Sequence, residues 1–106
     1  MQLHYSGEVE ELQEELERIL HHGRWRKLKN SNWQCRIIGG PILNFYPSTG
    51  RIYVQGKEEK RHILMQDLVD HAAEDVFENV TSNWIISNDT PYNKRTNNPR
   101  KSIKLP

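Results

Sequence analysis

Hydrophobic positions along the chain change period twice. In residues 8–22, Val9, Leu12, Leu16, Ile19 and Leu20 recur at helical spacing while glutamates fill the other face, which predicts an amphipathic helix capped by Ser6 and ended by Gly23. From Trp33 the period becomes two: Trp33, Cys35 and Ile37 alternate with Gln34, Arg36 and Ile38, the pattern of a half-buried strand. Gly39-Gly40-Pro41 turns the chain into residues 41–46, and Pro47-Ser48-Thr49-Gly50 turns it again into residues 51–55, so the middle of the chain spells an antiparallel meander closed by a Gly-ended hairpin. Over residues 58–80 the helical period returns. Met65, Leu68, Val69, Ala72, Val76 and Val80 share a stripe there, widened by Leu64, Ala73 and Phe77. Two stretches are less regular. Arg24-Trp25-Arg26-Lys27-Leu28-Lys29 reads equally as an edge strand or a basic loop, and residues 81–87 read as a short final element around Trp84, Ile85 and Ile86.

Strand side chains alternate between faces, so the central hairpin has two unlike sides. Leu43, Phe45, Ile52 and Val54 need a core, joined by Cys35 and Ile37; Arg36, Asn44, Tyr46, Arg51, Tyr53 and Gln55 point the other way. Both helices are amphipathic. The economical arrangement is an α+β fold, a small antiparallel curved sheet of three to five strands with two helices packed on one face and the other face bare. Residues 1–87 then form the domain, and residues 88–106, rich in Asn, Pro and Lys, form a basic tail.

With 106 residues the chain supports one small core, and its net charge of +1 does not by itself point to a polyanionic partner. The distribution of charge is more informative. Glu8, Glu10, Glu11, Glu14, Glu15 and Glu17 cluster at the start, after which no acidic residue occurs before Glu58. That gap carries Arg24, Arg26, Lys27, Arg36, Arg51 and Lys57 among its cations. The early carboxylates read as a solvated helix face, since nothing in the pattern singles one out as an acid or base. Cys35 is the only cysteine, so an intrachain disulfide and a Cys-rich metal site are excluded, and it reads as a small core residue. Asp67, His71 and Asp75 stand four apart on one helix, but they match no metal-binding motif, and no metal or cofactor is expected. With no signal segment or membrane-length apolar run, the expectation is an intracellular protein without a membrane partner, cytoplasmic, or nuclear in a eukaryotic or viral setting.

Tyrosines among arginines and amides on an open sheet suit nucleic acid: rings stack on bases or wedge into a groove, amides reach base edges, and guanidinium groups hold phosphate. The expected contact set is Arg36, Asn44, Tyr46, Arg51, Tyr53, Gln55 and Lys57, extended by Arg24, Arg26 and Lys27. The hairpin spelling Asn44-Phe45-Tyr46-Pro47-Ser48-Thr49-Gly50-Arg51-Ile52-Tyr53-Val54-Gln55-Gly56, followed by a helix, resembles the TATA-binding-protein-like module found at the N-terminus of ribonuclease HIII. The resemblance covers roughly residues 32–73. It implies a curved sheet backed by helices whose open face serves DNA or RNA, including hybrid duplexes; where the family usually has Lys or Thr after the turn glycine, this chain has Arg51. No ribonuclease H catalytic domain follows, so only binding carries over. By analogy with the two-repeat saddle of the TATA-binding protein, a free half pairs with itself as a homodimer. The competing expectation is a small protein-interaction factor, such as an inhibitor encoded by a phage or mobile element, that docks on a nucleic-acid enzyme.

Overall fold

The computed structural model describes residues 2–87, in the order β1 (Gln2–Tyr5), α1 (Val9–Arg18), β2 (Gly23–Lys27), β3 (Trp33–Ile37), β4 (Ile42–Tyr46), β5 (Arg51–Gln55), α2 (Glu58–Glu78) and β6 (Trp84–Ser87). The proposed basic tail at residues 88–106 lies outside the described residues. The strands make one six-stranded antiparallel sheet in the order β2-β3-β4-β5-β1-β6. Strands β3 to β5 are the expected meander; the basic stretch read as an edge strand or a loop forms β2 at the edge beside β3, and the sheet has six strands rather than three to five. The first and last strands of the chain, β1 and β6, complete the sheet on its other side.

Glycine is required at the hairpin tip for two reasons. Gly50 has φ 77°, and a Cβ there would stand 2.8 Å from the backbone oxygen of Tyr5. This close approach lets the Tyr5 N–H donate to the Gly50 carbonyl at 2.7 Å, which ties β1 to the hairpin.

Both helices contribute to one core with the inner face of the sheet. Leu12 and Leu16 of α1 and Leu64, Leu68 and Ala72 of α2 are fully buried with Leu3, Cys35, Leu43 and Phe45. Each leucine so buried stabilises the fold by about 1.5–3 kcal/mol relative to an exposed one. Burial also pushes the Cys35 thiol up to about 12, as expected of an inert core residue.

Several boundaries differ from expectation. Glu8, rather than Ser6, caps α1, with its N–H donating to Glu11 Oε1 at 2.8 Å; the Ser6 hydroxyl instead faces Asn83. The helix ends at Ile19, before Gly23. The Leu20 N–H donates to the Glu17 carbonyl and the His21 N–H to the Leu16 carbonyl, a Schellman closure whose left-handed position (φ 64°) is held by Leu20. Leu20 is therefore expelled from the stripe and is 77% exposed. Gly23 opens β2 instead, where a Cβ would meet the Arg36 backbone oxygen at 2.5 Å.

In α2 the expected stripe holds only in its first half. A step of four residues turns about 40° beyond a full circle, so three steps from Leu64 carry Val76 roughly 120° off the core-facing line. Asp75 takes the inward position and accepts from the Ser82 hydroxyl, while Val76, Phe77 and Val80, as well as Ala73, are exposed.

Glu15 does not belong to a solvated face. Its Oε1 accepts from His71 Nε2 at 2.6 Å and from the Trp84 indole Nε1–H at 2.9 Å, and its Oε2 accepts from Arg18 at 2.9 Å, so one carboxylate joins α1, α2 and β6. Asp67, His71 and Asp75 diverge to different partners: His21, Glu15 and Ser82.

Candidate nucleic-acid interface

With the helices on one side, the register fixes what lies on the other. Cross-strand partners form three rows: Arg24, Arg36, Ile42 and Gln55; Arg26, Gln34, Asn44 and Tyr53; and Tyr46, Arg51, His4 and Ile85. Eight of the ten expected contact residues stand on this face. Lys27 and Lys57 do not. Lys27 pairs with Trp33, whose ring packs on the core, so alternation puts Lys27 on the helix side of β2; Lys57 follows Gly56 and caps α2. Trp25, also on the helix side, packs against the core, which leaves Arg24 and Arg26 on the open side.

The face is divided by chemistry. Arg24, Arg26 and Arg36 occupy β2 and β3 at one end, and among the described residues none of them takes part in an ion pair. Two strands further on, Tyr46, Arg51 and Tyr53 line an open depression with Asn32, Ser48 and Thr49. The Arg51 guanidinium lies 5.8 Å from the centre of the Tyr53 ring, a cation–π contact, and Tyr53 is 46% exposed. Thr49 shapes the rim: its hydroxyl accepts from the Arg51 N–H at 3.2 Å.

Between the two ends lies a row of amides. Gln34 Nε2 donates to Asn44 Oδ1 at 3.1 Å, and Asn44 Nδ2 donates to Gln55 Oε1 at 2.8 Å and to the Tyr53 carbonyl at 3.2 Å. Asn44 is only 6% exposed. Its amide is spent on the sheet, which corrects its expected role as a base-edge reader; it holds β3, β4 and β5 together beneath the surface.

Charge is sorted by side. Every aspartate and glutamate among the described residues belongs to α1, its Glu8 cap or α2. No described carboxylate stands on the open face, where four arginines do. No family model, curated protein or solved structure matches the chain.

His4, Gln34 and Ile85 are residues of this face that the hairpin pattern alone did not bring forward. The signal for His4 is present in hindsight. Leu3 and Tyr5 alternate with it just before Ser6-Gly7, but a four-residue run at the chain start carries too little pattern to distinguish a strand from a loop.

Proposed function

We propose that the chain is a non-enzymatic nucleic-acid-binding module whose ligand lies on the uncovered face of the sheet. The observation that carries this reading is the segregation of charge: four arginines and no described carboxylate on one side, with the described acidic residues on the helical side. Such a surface attracts a polyanion and turns the repelling helices away from it. Exposed tyrosine beside arginine adds rings that stack on bases of any identity. The resemblance of the hairpin to the TATA-binding-protein-like module points the same way.

The test is binding of labelled single-stranded, duplex and hybrid oligonucleotides across a salt series. Affinity should fall linearly with the logarithm of salt, and Arg24→Ala with Arg36→Ala should make that slope shallower. An absence of binding at low salt overturns the reading.

A second reading is favoured by one observation. Phe77, beside Val76 on the last turn of α2, is 90% exposed and Val80, just past the helix end, 103%, with Glu74 and Glu78 close by in the chain. An apolar ridge with an acidic border suits a basic protein surface such as that of a nucleic-acid enzyme. A stoichiometric partner that survives nuclease treatment and is lost in Phe77→Ser would favour this reading over the first.

A further inference from the structure

The layout of the face bears on which nucleic acid it takes. Arg24 and Arg26 are two residues apart on β2, hence about 6.8 Å along the strand, and Arg36 stands directly across from Arg24. Like charges so placed repel one another in the free protein. A phosphate between them turns that repulsion into attraction, and the pair at Arg24 and Arg26 offers a second position one step along an extended backbone.

From Arg36 on β3 to Tyr53 on β5 is two strand spacings across and two residues along, about 12 Å between backbones, a span that a long arginine side chain and a nucleotide bridge together. At that distance lies the depression between Tyr46 and Tyr53. The floor between is the amide row, whose central member, Asn44, is buried with both of its N–H donors engaged within the sheet. Bases in a duplex are already stacked and paired, so a ring standing on a sheet reaches them poorly; unstacked bases of a single strand are open to it.

We infer that the face takes single-stranded nucleic acid without reading its sequence: the backbone tracks the arginines of β2 and β3, and a base stacks at Tyr53 beside Tyr46. This rests on the nucleic-acid reading above and narrows it to one substrate class.

The experiment compares a short mixed-sequence oligonucleotide, its scrambled counterpart and the matched duplex by fluorescence anisotropy with the full chain. Both single strands should bind about equally and at least about tenfold more tightly than the duplex. Tyr53→Ala should weaken single-strand binding about ten- to hundredfold without changing the salt slope, and Tyr53→Phe should restore it, because the ring does the stacking. Arg24→Ala should lower both affinity and slope. Duplex binding as tight as single-strand binding overturns the inference, as does a Tyr53→Ala variant with unchanged affinity or a Tyr53→Phe variant as weak as alanine. In each of those cases nucleic acid still binds and the broader function stands; binding to none of the oligonucleotides removes both.

Discussion

Glu15→Ala tests the fold at the point where three elements meet. The substitution leaves the indole N–H of Trp84, a residue only 3% exposed, without the acceptor it now has at 2.9 Å. A buried donor so orphaned costs about 1–3 kcal/mol. Loss of the 2.6 Å contact to His71 adds to this, because the two side chains are 18% and 13% exposed and water reaches them poorly. The Arg18 contact adds little, since that side chain is 64% exposed and surface pairs contribute about 0–1 kcal/mol. The expected loss is therefore about 2–4 kcal/mol, which lowers Tm by roughly 10–25 °C in a domain of this size. Glu15→Gln keeps an acceptor for the indole and should lose less than half as much. Urea unfolding followed by tryptophan fluorescence measures both variants. If Glu15→Ala costs under about 0.5 kcal/mol, or the glutamine variant falls as far as alanine, the assignment of Glu15 as the buried acceptor is wrong.

Three further outcomes follow from single features. Leu20→Gly should stabilise the protein by about 0.5–1 kcal/mol, because it relieves about 1–2 kcal/mol of left-handed strain at an exposed site while adding about 0.5–1 kcal/mol of unfolded-state entropy; a loss of stability in thermal melts would contradict it. Asn44→Ala should cost about 1–2 kcal/mol yet leave oligonucleotide affinity within about twofold, since the amide serves the sheet; a large affinity drop at unchanged stability would restore it as a ligand contact. Burial raises the Cys35 thiol from 9.0 to about 12 and also raises Tyr5, chiefly by desolvation. Both hold protons in the folded state that the unfolded chain releases, so their stabilising effect is complete below about pH 9 and is lost as pH rises toward 12, at about 1.4 kcal/mol per pH unit for the thiol. Urea midpoints taken on either side of pH 9 should show this slope, and Cys35→Ala should lose the thiol's share of it.

The α+β class, the meander and both helices follow from period alone, because a side chain in a strand changes face at every residue and one in a helix every few. Leu43, Phe45, Ile52 and Val54 had to be buried, and Arg36, Tyr46, Arg51 and Tyr53 had to face away, in any register that kept the hairpin turn. Pairing partners were decided elsewhere. The placement of β1 between β5 and β6 depends on contacts 45 or more residues apart in sequence, such as Leu3 with Ile52, and no local pattern encodes them. The same holds for Glu15, which looks like its acidic neighbours until Trp84 and His71 arrive from the far end of the chain. Asn44 looked available because alternation reports direction only; whether an amide is free depends on what stands on the neighbouring strands, and there Gln34 and Gln55 close on it. Local chemistry thus set which way each residue points, while long-range packing set which of the outward-pointing groups still have a hydrogen bond or a ring face to offer.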